Sequence, residues 1–161
     1  MEGRVIPIQD WLDTFRGAAD DFARGSLRFD GKAGAGHDNG DRPGAYIAIL
    51  SDSESVHLGL CMSPHDGHVL ARALLGLGSH DTLSEKDMVD GVSEVMNIVA
   101  GKVKSHMAGR GEGLRLGLPM FIPRPITPAG DMETASVELS LGPVICRLTV
   151  YRRGLAGRTA A

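Results

Sequence analysis

SEKDMVDGVSEVMNIVAGKVKSHM, residues 84–107, is the longest uninterrupted helical pattern in the chain. Ser84 followed three residues later by Asp87 is an S-x-x-D start, in which a side-chain oxygen accepts an orphan backbone N–H of the first turn. It predicts a helix from residue 85. Glu85, Asp87, Asp90 and Glu94 crowd the first half and Lys102 and Lys104 the last turns, the order that a helix dipole favours. At about 100° per residue, Met88, Val92, Val95, Met96, Val99 and Val103 fall on one apolar stripe, which faces a core. Asp90, Glu94, Asn97 and Gly101 collect on the opposite side, with Glu94 and Asn97 one turn apart and about 60° from each other. Ala100 and Gly101 leave room beside the acid and the amide, although glycine inside a helix costs about 1 kcal/mol relative to alanine.

Outward from this helix, Pro7 to Arg24 places Ile8, Trp11, Leu12, Phe15, Ala18, Ala19 and Phe22 at helical spacing, with Gly25 as its stop. Ser26–Phe29 reads as a short strand. Residues 31–44, GKAGAGHDNGDRPG, are dense in Gly, Asp and Asn and read as a flexible loop. It is no phosphate-binding P-loop, because Lys32 precedes the glycines and no helix follows, and Asp38 and Asp41 miss the EF-hand spacing.

Ala45–Leu50 and Ser55–Met62 read as a hairpin, with Val56, Leu58, Leu60 and Met62 making one apolar face. Ser63 and Pro64 then open a helix to about Leu75, ended by Gly76, with Asp66 as part of the cap. His65 and His68 lie on it at i, i+3 without a third ligand, and no metal is assigned. Leu114, Leu116 and Leu118 alternate up to Pro119, a strand that the proline ends or places at a sheet edge. Pro123, Pro125 and Pro128 make the next segment irregular. Val137–Leu141 and Val144–Arg152 close the chain as two strands around Gly142-Pro143, and residues 154–161 read as a frayed tail. The sum is a single α+β domain over residues 1–161, a mostly antiparallel sheet packed against helices.

With 161 residues, 42% hydrophobic and 23% charged, the composition suits one globular domain, and a net charge of -3 argues against a nucleic-acid binder. Cys61 and Cys146 sit in strand-like runs without metal-ligand neighbours and read as free buried thiols in a reducing compartment. There is no signal-peptide pattern at the start and no apolar run near the roughly 20 residues that span a bilayer. A cytoplasmic location without membrane insertion is expected.

The pattern Asp90-x3-Glu94-x2-Asn97 followed by Pro119 resembles the signature of the CheC/CheX chemotaxis phosphatases, in a CheX-type, single-site form. The likeness extends over V-S-E-V-M-N-I-V-A-G-K-V-K-S (92–105) and L-G-L-P (116–119), and more loosely over most of the chain, while F-I-P-R-P after it departs from relatives. The resemblance implies the family's architecture, a homodimer made through the sheet, and hydrolysis of the aspartyl-phosphate of a CheY-type response regulator. It implies that Asn97 orients the attacking water and that Glu94 engages the regulator's lysine. Asp90, Ile98 and Gly101 would be partner-contact surface, although Asp90 reads equally well as a complement to the helix dipole. The chain would need no cofactor of its own, the Mg²⁺ being held by the partner regulator. A non-catalytic CheX-like adaptor binding a regulator or a flagellar-switch component is the alternative, and a dimerisation module without a phospho-dependent partner is a third class.

Overall fold

The computed structural model describes residues 5–29, 42–52, 54–78, 80–111 and 113–153. Among them are three helices, α1 (Ile8–Ser26), α2 (Pro64–Leu75) and α3 (Glu85–Met107). The strands are β1 (Gly44–Leu50), β2 (Ser55–Met62), β3 (Arg115–Leu116), β4 (Met120–Ile122), β5 (Met132–Leu141) and β6 (Val144–Arg153). They form one antiparallel sheet in the order β3-β1-β2-β6-β5, with β4 also paired to β1. Most of the flexible loop and all of the tail expected from the sequence lie outside the described residues. Gly44 itself is the first residue of β1, opposite Cys61, where a Cβ would stand 2.6 Å from the Cys61 sulfur.

Alternation decides the two faces of the sheet. Val56, Leu58, Leu60 and Met62 of β2 and Val144, Cys146, Leu148 and Val150 of β6 point to the same side and are buried. All three helices cover that side and close one core with them, to which Trp11, Phe15, Met96 and Val99 contribute. α3 packs against both other helices and β1. It approaches α2 closely at Gly91, where an added Cβ would lie 2.7 Å from that of Ala71.

The helix-free face carries a smaller cluster of Tyr46, Cys61 and Tyr151. The three-proline connection between β4 and β5 must pass from one edge of the sheet to the other, and it does so over this face, with Ile126 packed on that cluster. The Tyr46 hydroxyl stands 3.1 Å from the Cys61 sulfur and shares a hydrogen bond with the Ile126 backbone.

Several expectations change. α1 runs through Gly25 to Ser26, and Leu27–Phe29 is not a strand: Leu27 is buried and the Phe29 ring closes over the β5–β6 turn, so these apolar groups pack instead of pairing. That turn holds Gly142 at a φ of 56°, a conformation open to glycine at no steric cost. β5 begins at Met132, five residues before Val137. Of the strand expected at Leu114–Leu118 only Arg115–Leu116 pairs, at the edge of β1; the chain breaks at Gly117–Pro119, leaving Leu118 89% exposed, and pairs with β1 again as β4.

The Ser63 hydroxyl caps α2 by accepting the Asp66 N–H, as its sequence predicts. The Asp66 carboxylate itself, however, is buried and accepts the Ile145 N–H of β6 at 3.2 Å, tying helix to sheet.

Cys61 and Cys146 are free and buried on opposite faces of the sheet. Burial pushes the Cys146 thiol up to about 12. The fold therefore holds a proton that the unfolded chain releases above about pH 8.5, and stability falls as pH rises from there. Cys146 is expected to resist iodoacetamide at pH 8.5 in the native protein and to react once denaturant is added, which peptide mass spectrometry would read.

Candidate functional site

α3 starts where the sequence places it. Ser84 Oγ accepts the Asp87 N–H at 3.0 Å, and the acidic first turns and basic last turns suit the dipole. Met88, Val92, Val95, Met96, Val99 and Val103 are all at most 4% exposed, so the rotation of the helix about its axis is fixed by burial. The far end is pinned as well: Arg110 donates to Asp10 of α1 at 2.6 Å, and the Thr14 hydroxyl approaches the Met107 sulfur at 3.5 Å. A helix so held presents its other face in one orientation.

That face carries the residues expected from the sequence. Asp90 and Glu94 are exposed, and Asn97, Ile98 and Gly101 are partly exposed. Among the described residues, neither Glu94 nor Asn97 makes a side-chain hydrogen bond or ion pair, so both polar groups are available to something outside the chain. Helix geometry puts them about 4.5 Å apart along the axis. Asp90 is bonded to Lys86 at 3.1 Å, an exposed i, i+4 pair, which is a role neither of its two sequence readings contained. Ala100 is fully buried, so the room beside the pair comes from Gly101 alone.

The glycines of the helices separate by cause. At Gly67 and Gly91 a side chain would collide with Met88 and Ala71, whereas at Gly101 it would meet nothing within 4 Å. The fold does not require Gly101. We expect Gly101→Ala to raise stability by about 0.5–1 kcal/mol in urea denaturation.

The L-G-L-P stretch is brought beside α3 through β3. Leu116 shares a hollow with Gly101, while Pro119 lies in the break between β3 and β4. Lys104 and Ser105 line that hollow too, a placement of Lys104 beyond the dipole role that its position near the end of α3 suggests. Its seven-residue spacing from Asn97 was the available signal. Among the described residues no group of three or more His, Cys, Asp or Glu could hold a metal ion, and no helix is long and apolar enough to cross a membrane.

Solved structures share this fold. CheX in the CheX–CheY–BeF3–Mg complex from Borrelia burgdorferi is 20% identical with a TM-score of 0.67, over 94% of this chain and 100% of that one. CheX from Desulfovibrio desulfuricans is 13% identical with a TM-score of 0.67, covering 88% and 97% of the two chains. CheX from Vibrio vulnificus is 13% identical with a TM-score of 0.63, covering 92% and 99%. No curated protein matches the sequence. The sequence profile described as "Chemotaxis phosphatase CheX" matches residues 44–129, from β1 through α3 and β4 into the proline-rich connection, more than half of the chain. The chain belongs to the CheX family of chemotaxis phosphatases.

Proposed function

We propose that the protein hydrolyses the aspartyl-phosphate of a CheY-type response regulator, with the exposed face of α3 as its active surface. The observation that supports this most is the acid and amide, Glu94 and Asn97, side by side on that face and unengaged within the chain. The CheX–CheY–BeF3–Mg complex of Borrelia burgdorferi supports a CheY-type partner and a reaction that involves Mg²⁺, which this reading assigns to the regulator.

In the reaction, water attacks phosphorus in line with the acyl P–O bond, which breaks to leave the regulator's aspartate as a carboxylate and release inorganic phosphate. The regulator supplies its metal and its lysine, and a correctly held water is the missing part. The Asn97 amide offers a donor and an acceptor without negative charge, so it orients that water without repelling the phosphoryl group. Glu94 carries charge that would oppose the phosphoryl oxygens, and it instead takes the regulator's lysine, a charge-assisted contact of about 1.5–3 kcal/mol. Ile98 and Gly101 allow close approach, and Asp90 reaches the partner only by exchanging its contact with Lys86.

A second copy fits the helix-free side of the sheet, where Met120 is 63% exposed beside Leu118 and an apolar hollow of about 350 Å³ lies between Tyr46, Ile122 and Met132. Adding catalytic amounts of the protein to a phosphorylated CheY-type receiver tests the function. Phosphate release over many turnovers, above the receiver's own rate, is expected; binding without acceleration would mean an adaptor.

A further inference from the structure

The exposed face of α3 continues past Gly101. Beyond it lies a hollow of about 340 Å³, bounded by Gly101, Lys104 and Ser105 on the helix and by Gly113, Leu114 and Leu116 on the segment entering β3. Lys104 follows Asn97 by seven residues, which places it about 10 Å further along the axis and within about 20° of the same line. Lys102 is turned about 140° away.

Lys104 is partly buried, lines the hollow, and among the described residues makes no hydrogen bond or ion pair. Arg110 and Arg115 nearby are engaged, with Asp10 at 2.6 Å and Asp52 at 3.9 Å, whereas Lys102, which like Lys104 makes no such contact among the described residues, faces away from the hollow. The Ser105 hydroxyl turns back to the Gly101 carbonyl at 3.1 Å, and nothing stands where a Gly101 side chain would be. The hollow thus joins a leucine-lined wall, an open mouth and an uncommitted ammonium, in line with the proposed water-orienting amide.

We propose that this hollow is a specificity subsite for the phosphorylated receiver. It takes an apolar side chain and an adjacent carboxylate that stand about 10 Å from the phosphorylated aspartate, with Lys104 as the cation that reads the acid. The occupant follows from charge complementarity: Glu94 at one end of the face selects a cation, and Lys104 at the other selects an anion. The subsite rests on the phosphatase reading only in that the phosphoryl group must lie at Asn97.

The test compares wild type with Lys104→Glu and Lys104→Arg. One arm follows phosphate release from the phosphorylated receiver; the other follows binding to the receiver loaded with beryllofluoride and Mg²⁺. Lys104→Glu is expected to raise both KM and Kd about 5- to 10-fold at low salt with kcat unchanged, the difference shrinking as salt rises, while Lys104→Arg stays near wild type. KM and Kd within two-fold of wild type for Lys104→Glu would overturn the subsite. If wild type binds but releases no phosphate, the phosphatase reading fails while the binding arm still decides Lys104. If wild type binds no receiver at all, both are overturned.

Discussion

Replacing Asn97 with alanine is expected to lower kcat for receiver dephosphorylation by about 10²-fold or more, the cost of losing the position of a single attacking water. The fold should not notice. Asn97 makes no side-chain hydrogen bond among the described residues, and alanine is the better helix former, so the melting temperature should stay level or rise slightly. Binding should also persist, because Glu94 and the rest of the face remain. A fall in kcat with unchanged Kd and unchanged circular dichroism separates this role from general damage. Glu94→Ala should act in the opposite sense, mainly on KM, since it removes an anchor and leaves the water in place.

The largest structural effect is expected at Arg152. Its guanidinium is buried at the end of β6, where it donates to Glu54 at 3.2 Å, to Glu133 at 2.6 Å and to the Ile6 carbonyl. One side chain thereby joins the β1–β2 turn, β5 and the lead-in to α1. Glu54 is itself only 11% exposed, so removing the arginine leaves a buried carboxylate without its cation. Arg152→Ala should cost about 3–5 kcal/mol, roughly 10 °C or more in Tm for a chain of this size. A thermal melt checks this, and Arg152→Lys should recover only part of the loss, because an ammonium cannot reach three acceptors in a plane.

These two residues also mark how far the sequence could be read. The outward placement of Asn97 was legible because everything that orients it is local: the Ser84 cap fixes where α3 begins, and the Met88-to-Val103 stripe fixes which face is buried. The same kind of local signal gave β2 from its strict alternation and α2 from Ser63-Pro64 at one end and Gly76 at the other, where φ is 67°. Arg152 looked like an ordinary strand-end cation. Its partners lie 146, 98 and 19 residues away, and only the tertiary fold brings them together.

Other parts stayed hidden for related reasons. The first half of β5 puts Met132, Thr134 and Ser136 on the helix-free face and Glu133 and Ala135 on the core face, so its one apolar core-side residue is too small a signal to read as a strand. Asp66 matched a capping pattern, and its carboxylate serves β6 instead. The hollow beside Lys104 exists only because β3 returns to the edge of β1 next to α3, which no helical periodicity predicts.

Most of the function proposed here depends on one surface, so the decisive measurement is where the activated regulator touches the chain. Backbone amide NMR of the isotope-labelled protein, titrated with an unlabelled CheY-type receiver carrying beryllofluoride and Mg²⁺, reads this residue by residue. Shifts concentrated from Asp90 to Lys104 and at Leu114–Leu116 are predicted. Shifts confined to the helix-free face, around Tyr46, Met120 and Tyr151, with α3 unmoved, would contradict it.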